Sequence, residues 1–333
     1  MRLRNKAIVV TGGAGFLGSH LCDKLMEYDP EKLIIVDDFS IGKERNIENL
    51  RKMENVNVQN LDASNYRLMS KLYEKENVDI TFNLAVVPLP ASLTKPKETI
   101  DTNILITSTL CELLRSGKYK TLIHISSSEA YGTAVYTHKP MDENHPTFPT
   151  TPYAASKLAC DHIVLSYYKT FGLDTAIARP FNMYGPRQNE KSYAAVIPIT
   201  INRVLSDKPP IIHGDGLQTR DYTYVEDIAK AIPRFYEVSS TRGKVINLAS
   251  GREISIKELI YMIINLMGYS GDVICTNPRP GDVRRHLGDI SLARKLIGFS
   301  PKTGYKTGLK KTIEWYKNLF ISSHRHARTI QQL

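Results

Sequence analysis

A tyrosine and a lysine, Tyr153 and Lys157, lie four residues apart in the stretch YAASK. On a helix this spacing brings both side chains to one face. A lysine ammonium beside a phenol, together with a second positive charge close by, lowers the pKa of the phenol from its ordinary value of about 10. The pair therefore predicts a tyrosine that acts as a general base near neutral pH.

A glycine-rich turn, TGGAGFLGSH, stands near the start of the chain between a strand pattern and a helix pattern. Glycines permit a tight turn and close backbone approach, so N–H groups at the start of the helix can hold a pyrophosphate. Asp37 follows nineteen residues after Gly18, at the end of the second strand pattern, where a carboxylate can accept the adenosine ribose hydroxyls. The predicted dinucleotide site comprises Gly12, Gly15, Phe16, Leu17, Gly18 and Asp37.

Asp37 also bears on which dinucleotide binds, because a carboxylate there repels a 2′-phosphate and favours NAD over NADP. Lys43 and Arg45 follow closely and either contact a phosphate or are solvated loop charges. Asp62 ends the third strand pattern and either meets the adenine edge or caps the next helix. The residues alone leave both pairs of alternatives open.

The elements that must position these residues alternate regularly through about the first 180 residues. Short β-branched runs and amphipathic helix patterns predict parallel βαβ units, and right-handed crossovers build a Rossmann-type, doubly wound parallel sheet. In the first helix pattern, Leu17, Leu21 and Leu25 recur at the helical period and face the sheet. After Arg179, prolines cluster, and helix patterns occupy 225–237, 254–268, 289–298 and 306–320. The fold class predicted is α/β, with a smaller C-terminal α/β substrate-binding lobe.

The predicted domain boundaries follow from this change in sequence pattern after Arg179. We predict an NAD-binding domain over residues 1–179, rejoined by about 222–250, because the strand pattern KVINLA returns to the main sheet. Residues 180–221 and 251–320 form the substrate-binding lobe. Residues 321–333 form a basic tail that lacks apolar periodicity, and we expect it to be flexible.

Composition excludes several classes of protein. The net charge is +10, but the basic residues are dispersed rather than gathered in a stripe, which favours an anionic small molecule over nucleic acid. The four cysteines lie far apart without a C-x-x-C pair and indicate neither a metal site nor a disulfide framework. No apolar run approaches the roughly 20 residues of a membrane span, and no signal-peptide cleavage site precedes the first strand pattern. We expect a cytoplasmic protein.

Six ordered motifs resemble the extended short-chain dehydrogenase/reductases, specifically the NAD-dependent nucleotide-sugar epimerases and dehydratases. They are TGGAGFLGSH, SSSEAYG, YAASK, RPFNMYGPRQ, GDGLQTRDYTYVEDIA and RPGDVRR, and the resemblance extends from about residue 6 to about residue 316. It implies tightly bound NAD, a nucleoside-diphosphate sugar as substrate, and transient oxidation at C4 of the sugar. It also implies a homodimer through a four-helix bundle of the helices near 98–115 and 153–171.

The resemblance assigns roles residue by residue. Tyr153 takes the proton of the sugar's 4-hydroxyl, Lys157 holds the nicotinamide ribose, and Ser127 hydrogen-bonds the 4-oxygen. The substrate-binding residues implied are Asn182, Arg187, Arg220 and Arg279, and the planar fork of arginine suits phosphate oxygens. Where many relatives have histidine this chain has Asn83, near the pyrophosphate in the family's fold, so that the resemblance implies an altered contact there.

Glu129 bears on which reaction the chain catalyses. Once C4 is a ketone the C5 proton is acidic, and a carboxylate can remove it as general base before the 6-hydroxyl leaves. A 4-epimerase needs no such base, and resembling epimerases carry a small or apolar residue here. dTDP-glucose dehydratases read T-D-E, with an acid where this chain has Ser128, whereas GDP-mannose dehydratases and UDP-glucuronate decarboxylases read T-S-E. Asp221, in QTRDY, differs from the Q-T-R-S of decarboxylases.

We therefore predict a sugar-nucleotide 4,6-dehydratase; the alternatives are an NDP-sugar 4-epimerase and then a UDP-glucuronate decarboxylase. The predicted catalytic residues are Ser127, Ser128, Glu129, Tyr153 and Lys157. The alternative for Glu129 is a solvated or helix-capping carboxylate. A dinucleotide-binding regulator without turnover would not need Ser127, Tyr153 and Lys157 together, and a nucleic-acid binder would show a steep salt dependence of DNA affinity.

Overall fold

The computed structural model describes residues 2–136, 139–190, 195–278 and 283–330. The strands in chain order are β1 Ala7–Thr11, β2 Lys32–Asp37, β3 Val56–Asn60, β4 Ile80–Asn83, β5 Thr121–Ile125, β6 Thr175–Pro180, β7 Asn182–Tyr184, β8 Ile211–His213, β9 Thr219–Arg220, β10 Tyr222–Tyr224, β11 Val245–Leu248, β12 Ile254–Ser255 and β13 Ile274–Thr276. The helices are α1 Phe16–Met26, α2 Tyr66–Glu76, α3 Leu89–Ser92, α4 Pro96–Arg115, α5 Pro152–Phe171, α6 Val196–Leu205, α7 Val225–Glu237, α8 Ile256–Met267, α9 Ser291–Ile297 and α10 Tyr305–Ile330.

Seven strands form one parallel sheet in the order β11-β6-β5-β4-β1-β2-β3. The six strands from β3 to β6 have the order of a Rossmann sheet, which reverses between β1 and β4. The predicted α/β fold class is therefore confirmed. β11 pairs with β6 at the edge of the sheet, although the chain passes through the second lobe between these two strands.

The sheet strands are continuous apolar runs because helices cover both faces. Every residue of β1 and of β5 is buried. The predicted helix face is confirmed as well, since Leu17, Leu21 and Leu25 are 7%, 0% and 0% exposed. The sheet is thus a rigid platform whose carboxyl edge carries the loops.

Helix α5 begins at a well-defined cap. The Thr151 hydroxyl accepts a hydrogen bond from the backbone N–H of Ala154 at 3.1 Å, and Pro152 occupies the first turn. The helix ends at Gly172 in the left-handed conformation, which a residue without Cβ adopts without strain. These ends fix where the first turn of α5, and hence Tyr153, lies.

The second lobe is built from three two-stranded sheets and α6, α8 and α10. β7 pairs with β10, β8 with β13 and β9 with β12. A separate aromatic and aliphatic core lies between them, with Tyr184, Tyr224 and Leu309 buried. Asp221 joins this lobe to the end of β11, because its carboxylate accepts hydrogen bonds from Ser250 N and Gly251 N at 2.7 and 2.9 Å.

The C-terminal segment is helical where no helix was predicted, and its flexibility stays a prediction. We expected a flexible tail from residue 321, but the backbone of α10 continues as a helix to Ile330. Extending an existing helix avoids the cost of nucleation, and Ala and Arg are good helix formers, so apolar periodicity is not required. Among the described residues no helix, α10 included, is long and apolar enough to cross a membrane.

Candidate functional site

A cleft of about 640 Å³ lies between the two lobes, along the carboxyl edge of the sheet. This is where ligands bind in doubly wound folds. The predicted site residues that line it are Gly12, Gly15, Phe16, Leu17, Gly18, Asp37, Asp62, Ser127, Glu129, Tyr153, Lys157, Asn182 and Arg220. Ser128 and Arg187 do not line it, and Arg279 lies outside the described residues.

The glycine turn has no room for side chains. Gly12 has a φ of +68°, and a Cβ there would lie 2.8 Å from the backbone N of Ala85. A Cβ on Gly18 would lie 2.1 Å from the carbonyl oxygen of Gly12. Helix α1 starts within this turn at Phe16, so its free N–H groups open onto the cleft. The turn therefore fits the pyrophosphate of a dinucleotide.

Asp37 ends β2 and is 6% exposed. Its two oxygens accept hydrogen bonds from Ala14 N and Phe39 N, each at 2.9 Å. Burial raises the pKa of the Asp37 carboxyl, and these two hydrogen bonds oppose that rise. The carboxylate thus lies beside the glycine turn, where a ribose hydroxyl would reach it.

Lys43 and Arg45 make a contact that neither alternative named. Lys43 Nζ lies 2.6 Å and Arg45 Nη2 2.7 Å from Oε1 of Glu190, a residue that follows β7 in the second lobe. Neither cation lines the cleft. Both charges are engaged in an ion pair between the lobes, which the sequence analysis did not anticipate.

Asp62 lines the cleft and is exposed. Its carboxylate accepts a hydrogen bond from Ser64 N at 2.8 Å. The cap of α2 is a different residue, Asn65, whose side chain accepts from Leu68 N. Asp62 is therefore not the cap, and its contact with the adenine edge stays a prediction.

Ser127, Tyr153 and Lys157 meet at the end of β5. Ser127 opens the short 3₁₀ turn over 128–131, and its hydroxyl accepts a hydrogen bond from Glu129 N and lies beside the Tyr153 phenol. Lys157 is 4% exposed and donates to the carbonyl oxygen of Ile125 at 2.6 Å. The end of one strand and the first turns of α5 thus bring a phenol, a hydroxyl and an ammonium into one corner of the cleft.

The lowering of the Tyr153 pKa was predicted for Lys157 acting together with a nicotinamide charge, and it stays a prediction. Part of this side chain faces the cleft, but protein atoms surround it, and burial raises the pKa of the phenol. The hydrogen bond from Ser127 opposes this rise, and the negative charge of Glu129 adds to it. The ammonium of Lys157 is directed to the Ile125 carbonyl, and burial lowers its own pKa. Activation of Tyr153 therefore needs a positive charge from outside the chain.

Neighbouring positions in the turn after Ser127 face different ways. Glu129 lines the cleft and is partly exposed, and its backbone N–H donates to the Ser127 hydroxyl at 3.2 Å. Ser128 is 2% exposed and does not line the cleft. A 3₁₀ turn has three residues per turn, so consecutive side chains point in directions about 120° apart. The structure does not bring the Ser128 hydroxyl to the other four predicted catalytic groups.

Of two arginines among the predicted diphosphate contacts, one lines the cleft and the other does not. Arg220 lines the cleft and is 9% exposed, and its Nη1 donates to the carbonyl oxygens of Thr219 and Val283 at 2.9 and 2.5 Å. Arg187 instead pairs with Asp23 of α1 at 2.7 Å. Because that ion pair holds the guanidinium away from the cleft, Arg187 does not contribute to the site as predicted.

Asn83 was expected near the pyrophosphate, but its side chain is 1% exposed and does not line the cleft. Its Oδ1 accepts from the Thr11 hydroxyl at 2.8 Å, and its Nδ2 lies 3.1 Å from Nδ1 of His124. Asn83 is therefore part of a polar contact across β1, β4 and β5 inside the sheet.

The sequence analysis missed several residues of the second lobe that line the cleft. Gln218 and Tyr222 both do so. They flank Arg220 by two positions in an extended stretch, where alternate residues share a face. In an extended stretch every second side chain faces the same way, so Arg220 as a site residue would have indicated Gln218 and Tyr222 as well. Further lining residues that went unrecognised are Thr102, Gln188 and His213.

No group of three or more His, Cys, Asp or Glu side chains among the described residues could hold a metal ion. The polar groups of the cleft instead suit organic ligands that carry phosphates. These phosphates would lie on both sides of the corner that Ser127, Tyr153 and Lys157 form. Glycine-turn N–H groups lie on one side and Arg220 on the other.

Comparison with known proteins agrees with this geometry. A family model described as GDP-mannose 4,6-dehydratase matches residues 9–312. The chain is 36% identical over 312 residues to a putative UDP-glucose 4-epimerase of Methanocaldococcus jannaschii, covering 93% of this chain and 98% of the relative. It is 30% identical over 326 residues to a human dTDP-D-glucose 4,6-dehydratase, covering 95% of this chain and 91% of the relative.

A solved structure extends the similarity to the fold. The UDP-glucuronic acid 4-epimerase of Bacillus cereus, in complex with UDP-glucuronic acid and NAD, superposes with a TM-score of 0.87 at 32% identity. The alignment covers 94% of this chain and 99% of that protein. The chain thus belongs to the GDP-mannose 4,6-dehydratase family, the NAD-dependent nucleotide-sugar epimerases and dehydratases of the extended short-chain dehydrogenase/reductases.

Proposed function

We propose that this enzyme is an NAD-dependent 4,6-dehydratase of a nucleoside-diphosphate sugar. The observation that carries the proposal is the position of Glu129, whose carboxylate lines the same cleft as Ser127 and Tyr153 and raises the pKa of the tyrosine. A second base so close to the first can act on the adjacent carbon of one sugar ring. An epimerase has no use for it.

The residues of the first lobe would hold NAD. The glycine turn receives the pyrophosphate, Asp37 the adenosine ribose, and Lys157 the nicotinamide ribose. NAD, when bound, takes a hydride from C4 of the sugar and later returns it to C6. Its positive nicotinamide is also the external charge that Tyr153 needs, because Lys157 alone leaves the pKa of the phenol raised.

Tyr153 would begin the reaction by taking the proton of the 4-hydroxyl. The Ser127 hydroxyl, already hydrogen-bonded to Tyr153, donates to the 4-oxygen as it becomes a carbonyl. Both groups stand on rigid elements, the end of β5 and the capped start of α5, so their geometry costs no reorganisation during turnover.

Glu129 would then remove the C5 proton, which the C4 ketone has made acidic. Since Ser128 is buried away from the cleft, Glu129 is also the acid that passes a proton to the departing 6-oxygen. The C5–H and C6–O bonds break, and the oxygen leaves as water. Hydride would enter at C6, a proton from solvent would replace the one removed from C5, and Tyr153 would release to solvent the proton it took from the 4-hydroxyl. The net change is loss of one water.

Asn182 and Arg220 would bind the diphosphate of the substrate from the second lobe. The guanidinium of Arg220 is already oriented by the carbonyls of Thr219 and Val283. A net charge of +10 favours the approach of an anionic nucleotide. The substrate class is therefore a nucleoside-diphosphate hexose.

The test is mass spectrometry of products formed with NAD in deuterated water from UDP-, dTDP-, GDP- and CDP-hexoses and UDP-glucuronate. Loss of water with one deuterium at C5 is the expected result. Loss of carbon dioxide from UDP-glucuronate would mean a decarboxylase. An isomer of unchanged mass without solvent deuterium would mean a 4-epimerase.

A 4-epimerase is the second candidate, because the relatives of highest identity described above carry that activity in their names. Glu129→Gln separates the two reactions. A dehydratase would lose water elimination by roughly a hundredfold or more while still reducing bound NAD. Glu44→Gln, which removes an exposed carboxylate that does not line the cleft, is the charge-matched control. Unchanged product formation in Glu129→Gln would favour the epimerase.

We also infer that two chains associate through α4 and α5. These helices pack side by side, and each carries a large exposed apolar side chain, Leu105 on α4 and Phe171 on α5, both 52% exposed. A second copy of the same helix pair would cover them.

A further inference from the structure

Glu190 makes a contact that the proposed reaction does not use. It follows β7 in the second lobe and reaches across to the loop after β2, where its Oε1 lies 2.6 Å from Lys43 Nζ and 2.7 Å from Arg45 Nη2. The Glu190 side chain is only 14% exposed, against 25% for Lys43 and 38% for Arg45. One carboxylate thus holds both Lys43 and Arg45.

The loop itself is fixed against the dinucleotide turn. The backbone N of Lys43 and the side-chain amide of Asn46 both donate to the carbonyl of Ala14, at 3.0 and 2.9 Å. Gly42 lies so close to Asp37 that a Cβ there would be 2.5 Å from its carboxylate. The backbone that carries Lys43 therefore directly adjoins the carboxylate that would bind the adenosine ribose.

Glu190 supplies the negative charge that faces both Lys43 and Arg45. Burial alone would raise the pKa of its carboxyl, but the hydrogen bonds from Lys43 and Arg45 outweigh burial and hold the pKa below its ordinary value. Glu190 is therefore ionised at neutral pH. Arg45 is held further by the ring of Trp315 on α10, with its guanidinium carbon 5.7 Å from the ring centroid.

We propose that Glu190 is a cofactor-specificity residue: it engages the two cations that would otherwise bind a 2′-phosphate beside Asp37, and so excludes NADP. Asp37 would repel the 2′-phosphate of NADP directly. Glu190 would keep Lys43 and Arg45 from pairing with that phosphate. Since Glu190 belongs to the second lobe, the choice of cofactor depends on both lobes. The inference depends on the proposed binding of a dinucleotide in this cleft.

The experiment is calorimetric titration of the whole chain with NAD, NADP, 5′-AMP and adenosine 2′,5′-bisphosphate. Glu190→Gln removes the charge and keeps the shape. We expect its affinity for NADP and for the bisphosphate to rise at least about tenfold, with NAD and 5′-AMP changed less than about twofold. Glu44→Gln is the matched control, because Glu44 lies in the same loop, pairs with Arg51 and is 68% exposed.

Two results would overturn the inference while leaving the proposed binding of NAD intact. The first is an unchanged affinity for NADP in Glu190→Gln. The second is an equal rise in that affinity in Glu44→Gln, which would mean a general charge effect. A double variant, Glu190→Gln with Lys43→Met, should lose most of the gain, and retention of the full gain would also count against it. If the unaltered chain bound neither dinucleotide, the proposed function would fail and this inference with it.

Discussion

At the scale of single residues, the protonation state of Tyr153 decides whether the site can react. Burial and the neighbouring Glu129 both raise the pKa of the phenol, and only the hydrogen bond from Ser127 opposes them. The Glu129 carboxylate, which is proposed to act in elimination, would therefore make the first proton transfer harder. The positive charge of a bound nicotinamide offsets this effect, so base strength and cofactor binding are coupled.

Tyr153→Phe removes the phenol oxygen and leaves the ring. We expect C4 oxidation to fall roughly 10²- to 10⁴-fold, the usual contribution of a general base, while NAD affinity stays within about twofold. Stopped-flow absorbance of the reduced nicotinamide and calorimetric titration with NAD measure the two quantities. A variant with normal turnover would remove Tyr153 from the mechanism.

Residue identity and spacing predicted that the glycines, Asp37, Ser127, Tyr153 and Lys157 line one site. Each of them lies close to the end of a strand or in the first turns of a helix, and the sequence pattern shows where these elements begin and end. The direction of Ser128 was not readable, since a 3₁₀ turn leaves no periodic signal in three residues. The partners of Lys43 and Arg45 were not readable either. Glu190 meets them only through the packing of the two lobes, far apart in sequence.

At the scale of elements, the turn between β1 and α1 has the least tolerance for change. Its two critical glycines face backbone atoms, which cannot move aside as a flexible side chain can. The pattern of strand, glycines and helix was sufficient to predict this unit. In contrast, the helical end of α10 was not predicted, because propagation from an existing helix does not require an apolar stripe.

Gly18→Ala would place a methyl group 2.1 Å from the carbonyl oxygen of Gly12 and force the turn open. We expect NAD affinity to fall at least about tenfold, as measured by calorimetry. Gly304→Ala is the matched control, because a Cβ there meets nothing within 4 Å. Melting temperatures of both variants separate loss of fold from loss of cofactor. Equal NAD affinity in the two would show that the turn tolerates a side chain.

At the scale of the whole molecule, two lobes with separate cores enclose one cleft, and each supplies part of the chemistry. The alternation of strands and helices predicted the parallel sheet, whereas the domain boundaries drawn from the proline-rich segment stay a prediction. The contacts that join the two lobes were not predicted. Asp221 and Glu190 act over distances in sequence that no local pattern encodes.

The proposed dimer is tested by sedimentation velocity at micromolar concentration. Leu105→Glu would bury an unpaired charge between two copies of α4 and should convert the dimer to a monomer. Leu217→Glu, at a side chain 55% exposed in the second lobe, should leave the dimer intact. A monomer in the unaltered chain, or identical behaviour of both variants, would contradict the interface.

The edge position of β11 has a consequence for how the chain is made. β6 leaves the ribosome with one side unpaired, and its partner β11 is synthesised only after part of the second lobe. Until then β6 presents open backbone N–H and C=O groups, a template for pairing with another nascent chain. β6 therefore keeps an unpaired side until Leu248 has emerged, so the sheet of the first lobe cannot be completed before part of the second lobe has been synthesised.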